Sequence, residues 1–166
     1  AALEQLTREL SAESGVTIAF TQTGQARGML LPDAVNTALF RIAQEASTNI
    51  VRHARASKAA LALDIAAGTV ALTIEDDGRG FDIDRVQADP NAGVGLRNMR
   101  ERLEALGGTL SVVSQPGHTV VRATVPVSAR GNDTASISAS VSTSTSFDAS
   151  HTTSHANTRI AQEDRP

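Results

Sequence analysis

The sequence predicts an α/β fold: an α+β two-layer sandwich in which a mixed, mostly antiparallel sheet carries helices on one face. Two observations predict it. In three separate segments apolar residues recur every three or four positions, the pattern of a helix with one buried stripe. Elsewhere apolar and polar residues alternate, as in strands buried on one side, instead of running apolar throughout as in strands covered on both.

Leu3, Leu6 and Leu10 set a short amphipathic helix over residues 2–13, and Gly15 stands where a C-terminal cap glycine would end it. Val16, Ile18 and Phe20 then alternate with polar neighbours, an edge strand that gives way to a loop from Gly24 to Gly28. Pro32 and Asp33 suit a first helical turn, although Leu31 is a poor N-cap. Val35, Ala38, Leu39, Ile42, Ala46 and Ile50 continue it as one stripe over about 32–54.

Leu61, Leu63 and Ile65, the connection Ala66-Ala67-Gly68 and residues 69–76 read as a hairpin. Residues 82–92 carry no period and read as a loop. Gly93-Val94-Gly95-Leu96 opens a helix with apolar positions Leu96, Met99, Leu103 and Leu106, ending at Gly107-Gly108. Leu110 and Val112, the turn Gln115-Pro116-Gly117, and Val121, Ala123, Val125 and Val127 make a second hairpin.

A chain of 166 residues, 40% hydrophobic and 20% charged, suits one globular domain over 1–127 with a tail over 128–166. Fifteen of the last 39 residues are Ser or Thr, too few apolar groups to offset the entropy of ordering, so this segment reads as disordered. Its histidines, His151 and His155, read as solvated and not as metal ligands. Fifteen basic against 18 acidic residues, a net charge of -3 and no basic run argue against nucleic acid as a partner. Four Phe without Trp or Tyr leave few platforms for stacked bases. With no cysteine there is no disulfide, thiolate metal site or cysteine nucleophile, which suits a reducing, cytoplasmic compartment. No apolar run approaches the roughly 18 residues of a membrane span, so no direct membrane contact is expected from this segment.

The chemistry gathers around Asp76-Asp77-Gly78-Arg79-Gly80-Phe81. Val70, Leu72 and Ile74 share one parity, and Asp76 continues it, which turns a carboxylate inward and leaves Asp77 facing solvent. A buried carboxylate needs donors, so this one is a candidate ligand-reading group; an acidic turn closing the strand would look the same, and the stretch alone does not separate the two. Glu45, Asn49 and His53 follow one another by four along a helix face, with Arg52 on the same side. Gly93 and Gly95 let the backbone approach a ligand at a helix N-terminus, an arrangement suited to an anion.

In order, Glu45-x-x-x-Asn49-x-x-x-His53, Asp76-x-Gly78-x-Gly80 and Gly93-x-Gly95-Leu96 resemble the N, G1 and G2 boxes of the GHKL (Bergerat-fold) ATP-binding family over about residues 1–127. Arg41 to Ala46 and Gly95 to Arg102, the latter running on to Gly107-Gly108, resemble the catalytic and ATP-binding domain of two-component sensor histidine kinases. The subgroup it resembles pairs with response regulators carrying a helix-turn-helix output. The resemblance implies ATP and Mg²⁺ as cofactors. It implies that Asp76 reads the adenine amino group, that Gly80 lets the base lie close, and that Thr119 supports it through water. Asn49 would ligate Mg²⁺, with Arg52 and His53 near the phosphate chain and the amides of the Gly93-Val94-Gly95-Leu96 turn holding it. Phe81 to Ala92 would be a short ATP lid. Glu45 matches the family's catalytic position, which acts as a base toward water in ATPase relatives and is linked to activating the acceptor histidine in the kinase subgroup. The implied partners are a histidine-bearing dimerisation and phosphoacceptor element and a response regulator, with homodimers in the context of a full-length kinase. No histidine precedes Val16, so this chain is not expected to phosphorylate itself at the usual site, and His53 and His118 read as site-lining or loop residues. The alternative is a free-standing module like the anti-sigma-factor serine kinases, which share the fold and act on a bound partner.

Overall fold

A computed structural model describes residues 2–24, 31–66, 68–89 and 93–127. The segment read as a Ser/Thr-rich tail lies outside the described residues, as do most of the Gly24 to Gly28 loop and the end of the 82–92 stretch.

Ten segments follow in chain order: helix α1 (Ala2–Ser14), strand β1 (Thr17–Thr23), helix α2 (Asp33–Asn49) with a π-helical turn (Ile50–Ala54), and β2 (Lys58–Ala66). After these come β3 (Thr69–Asp76), α3 (Ile83–Ala88), α4 (Val94–Glu104), β4 (Thr109–Gln115) and β5 (His118–Pro126). The sheet has the order β1-β2-β3-β5-β4, with β1 parallel to β2 and every other pair antiparallel. It is the mixed sheet of an α+β sandwich, and β1 is an edge strand as its sequence predicts.

Register places most of the large apolar strand residues on one face, with Val113 and Val120 paired on the other. Leu61 faces Ile74, Leu63 faces Leu72, Ile74 faces Val121 and Val70 faces Val125. The α2 stripe Val35, Ala38, Leu39, Ile42, Ala46 and Ile50 is buried with them. Fully burying a side chain such as Ile42 or Leu72 contributes roughly 1.5–3 kcal/mol, so this seam between α2 and the sheet is the main source of stability. One member of the seam is out of character: Ser47 is wholly buried and its hydroxyl has no hydrogen-bond partner.

Local chemistry sets the ends of the elements. Ser11 Oγ accepts the Ile18 N–H at 2.8 Å, which fastens α1 to β1. At the end of α4 the Gly107 and Gly108 amides donate to the Glu104 and Leu103 carbonyls at 3.0 and 2.8 Å, closing the helix in the way glycine permits.

Two segments differ from the sequence reading. The helix read over 32–54 is α-helical only to Asn49 and then widens into the π turn, ending at Arg55 in the left-handed region (φ 54°). The Ala54 carbonyl there accepts the Arg79 N–H at 2.8 Å, a tertiary bond from the turn after β3 that no local pattern announces. The 82–92 loop contains α3, a helix too short to show a period. It is held by Asp82, whose Oδ1 accepts the Arg85 N–H at 3.0 Å as an N-cap.

Candidate nucleotide site

The α2 end, the β3 turn and the start of α4 converge on a cavity of about 510 Å³, within the range of small-ligand sites. Its walls are largely apolar, with Ile50, Ile74, Leu96, Met99 and Val121 among them. Such a slot suits a flat base, and a few polar groups at defined places would orient it.

At one end stands Asp76, 9% exposed. It is last in β3 and is paired in register with Thr119 of β5, so both point from the same face of the sheet. The inward parity read from the sequence is present, and Glu75 and Asp77 on either side are exposed. Burial pushes the Asp76 carboxyl above its ordinary value. The Gly78 N–H, donating to its Oδ1 at 2.9 Å, counters this, Asp77 adds to the rise and His118 opposes it. Among the described residues the second carboxylate oxygen accepts no protein hydrogen bond and is available to an incoming N–H.

The turn after Asp76 is clamped from three sides. Arg79 N–H donates to Ala54, Asp77 N–H to Lys58 at 3.2 Å, and Gly78 accepts from Gly117 at 2.7 Å. Gly80 has φ 65°, and a β-carbon there would lie 2.6 Å from the Gln115 carbonyl, so only glycine lets this turn sit against the β4–β5 hairpin. Asp77 faces solvent as expected, yet it is a strut: its carboxylate accepts from Ser57 N–H (2.8 Å), Ser57 Oγ (2.6 Å) and Lys58 N–H (2.9 Å). These bonds hold its carboxyl below the usual value.

The cavity is also lined by Asn49 of α2, His53 of the π turn, and Gly93, Gly95 and Leu96. Gly93 caps α4 in the left-handed conformation, with no side-chain cap bond. The first amides of α4 lack intrahelical acceptors and carry the positive end of the helix dipole, which suits phosphate. Glu45 does not line the cavity but lies directly behind Gly95.

Of the residues singled out in the sequence, Asn49, His53, Asp76, Gly80, Gly93, Gly95, Leu96 and Thr119 line one cavity. Gly78 supports Asp76 from outside it. Arg52 and Val94 are exposed and outside the lining, and the wide π turn, which departs from the regular helical projection, is where Arg52 and His53 sit. His118 begins β5 and lies 3.7 Å from Glu75, outside the cavity lining. Sequence reading missed Arg79, Val86 and Met99 as lining residues, and it missed Ser114, whose Oγ accepts the Phe81 N–H at 2.9 Å and lies 3.1 Å from Thr119 Oγ1. Val86 carries the signal of a short capped helix; Ser114 carries none, since its partners are distant in sequence.

Among the described residues no three His, Asp or Glu side chains converge to hold a metal ion. A donor set with Asn49 as its protein member fits a Mg²⁺ ion that is completed by a ligand's phosphates, as hard oxygen-seeking cations commonly are. Among the described residues, no helix is long and apolar enough to cross a membrane.

Comparison with known proteins agrees with this geometry. Residues 34–129 match the profile of the histidine kinase-, DNA gyrase B- and HSP90-like ATPases. The sensor histidine kinase MctS of Rhizobium johnstonii is 38% identical over 129 residues, covering 78% of this chain and 28% of that protein. The signal transduction histidine-protein kinase/phosphatase DegS of Bacillus subtilis is 34% identical over 114 residues, covering 68% of this chain and 30% of that protein. The chain thus spans under a third of these curated relatives. The fold matches the histidine kinase domain of a blue-light activated kinase from Erythrobacter litoralis (TM-score 0.59, 20% identity, 75% of this chain and 58% of that one). It also matches the Acinetobacter baumannii histidine kinase AdeS (TM-score 0.58, 16% identity, 75% and 60%). With more than half of its length matched by that profile, the chain belongs to the family of histidine kinase-, DNA gyrase B- and HSP90-like ATPases.

Proposed function

We propose that residues 1–127 are the catalytic domain of a sensor histidine kinase, binding Mg-ATP and transferring its γ-phosphoryl group to a histidine on a separate dimerisation and phosphoacceptor element. A response regulator, of the class with a helix-turn-helix output, then takes the phosphoryl group. The observation that carries this reading is the pairing of buried Asp76 with Thr119 in a cavity that Asn49, Gly93, Gly95 and Leu96 also line.

Asp76 accepts from the exocyclic amine of adenine while the apolar walls enclose the ring. The α4 amides bind the phosphate oxygens, and the Asn49 side-chain oxygen is a ligand to the metal; Mg²⁺, when bound, neutralises phosphate charge. His53 adds a hydrogen-bonding group to the cavity wall, while Arg52 stays outside it. In the transfer, an imidazole nitrogen of the acceptor bonds to the γ-phosphorus as the bond to the bridging oxygen breaks and ADP departs. In this reading Glu45, which abuts Gly95, takes the N–H proton released by the acceptor's other imidazole nitrogen. Catalysis of this kind rests mainly on positioning and charge neutralisation. The relatives do not favour the alternative of an anti-sigma-factor-like serine kinase. The cytoplasm is the compartment in which ATP and a response regulator would be met.

The test incubates the chain with Mg-ATP labelled at the γ-phosphate and a separately purified histidine-bearing dimerisation helix from a related kinase. Acid-labile, base-stable label should appear on the helix and be lost with Asn49→Ala. Label on serine of the acceptor, or none despite bound ATP, contradicts the reading.

A further inference from the structure

We propose that Ser114 is a positioning residue for base selection: its hydroxyl fixes the direction in which Thr119 offers its hydrogen to the ligand. The inference rests on the reading of the cavity as an ATP site.

Hydrogen-bond bookkeeping at Ser114 supplies the direction. The Phe81 backbone amide can only donate, so Ser114 Oγ is an acceptor in that 2.9 Å bond. Its other neighbour is Thr119 Oγ1 at 3.1 Å. A serine hydroxyl has one hydrogen and two lone pairs. Ser114 is not part of the cavity lining, whereas Thr119 is, at 6% exposure. Ser114 Oγ makes no other hydrogen bond among the described residues, so we assign its hydrogen to Thr119 Oγ1, which leaves the hydrogen of Thr119 for the cavity.

Thr119 and Asp76 are register partners on one face of the sheet. Ser114 thereby makes that end of the cavity a carboxylate acceptor beside a hydroxyl donor. A 6-aminopurine presents the complement, an N–H donor beside the ring nitrogen N1 as acceptor, and a 6-oxopurine presents the reverse. This polarity is read by a direct contact of Thr119 with N1, since a bridging water can accept from Thr119 and from an N1–H alike. The same Ser114 hydroxyl ties Phe81, at the end of the turn after β3, to β4.

The experiment titrates the parent chain, Ser114→Ala and Ser114→Thr with Mg-ATP and with the Mg complex of 1-deaza-ATP, in which N1 is replaced by C–H. One neutral hydrogen bond corresponds to about a fivefold preference for ATP in the parent. In Ser114→Ala the ratio should fall toward one, mostly by weaker ATP binding, and Ser114→Thr, which keeps the hydroxyl, should restore it. A Ser114→Ala chain that keeps the parent ratio, or loses affinity equally for both ligands, overturns the assignment, as does a Ser114→Thr chain that behaves like the alanine variant. A parent that binds neither nucleotide removes the proposed function itself; a parent that binds ATP while Ser114→Ala keeps the ratio removes the role of Ser114 alone.

Discussion

Gly95 sits against the carboxylate of Glu45: a β-carbon at position 95 would overlap Glu45 Oε1 and lie 3.1 Å from Cδ. Gly95 is the second residue of α4, with no positive φ to demand glycine, so alanine there should gain helix propensity, less than the about 1 kcal/mol of a helix interior. The atom it strikes is the far end of a flexible side chain, which can move aside. Gly95→Ala should therefore fold at least as stably as the parent while displacing the acid. Phosphoryl transfer to an acceptor helix should drop by roughly a hundredfold, the scale of a lost proton acceptor. A normal transfer rate would show that Glu45 needs no fixed place.

Asp76 is held at a cost to the ligand-free fold. Burial raises its pKa above the ordinary 3.8, so the folded chain holds the proton more tightly than the unfolded chain. Its contribution to stability is greatest below 3.8 and is lost as pH rises through the folded value. At neutral pH the neutral isostere should be the more stable form, and asparagine Oδ1 can still accept the Gly78 N–H. Thermal melts of ligand-free Asp76→Asn should lie at or above the parent at pH 7, with the advantage shrinking toward pH 4. A lower melting temperature at pH 7 would show that the charge is stabilised by groups other than those named.

Asp77 has the opposite sign. Its bonds to Ser57 and Lys58 lower its pKa, so its contribution is present above 3.8 and disappears as pH falls through the lower folded value. Asp77→Ala should melt below the parent at pH 7, and the gap should close as the solution is acidified below 3.8. A gap independent of pH would assign the effect to backbone conformation.

Ser47 is a hydroxyl buried without a partner in the α2 seam. Ser47→Ala removes that desolvated group and improves helix propensity, for a gain of about 1 kcal/mol, or roughly 3–5 °C in melting temperature. A lower melting temperature would mean that the hydroxyl is hydrogen-bonded in solution.

What the sequence made legible was periodic or paired locally. The α2 stripe from Val35 to Ile50 is buried as its spacing implies, both hairpins form at Gly68 and Gly117, and parity alone separates Asp76 from Asp77. The features that escaped depend on partners far along the chain. The π turn ends where Ala54 meets Arg79, the role of Asp77 needs Ser57, and Ser114 acts through Phe81 and Thr119. Placing Arg52 beside Asn49 assumed a regular helix, and the widened turn leaves Arg52 outside the cavity.

The central claim is that one cavity reads adenine through Asp76 and holds metal-bound phosphates through Asn49. Calorimetric titration of the parent, Asp76→Asn and Asn49→Ala with Mg-ATP and Mg-GTP tests it most directly. The parent should bind ATP at least about tenfold more tightly than GTP. Asp76→Asn should lose that preference, and Asn49→Ala should weaken both nucleotides in magnesium while leaving the preference intact. Variants that bind Mg-ATP as tightly as the parent, with its selectivity unchanged, would contradict the account.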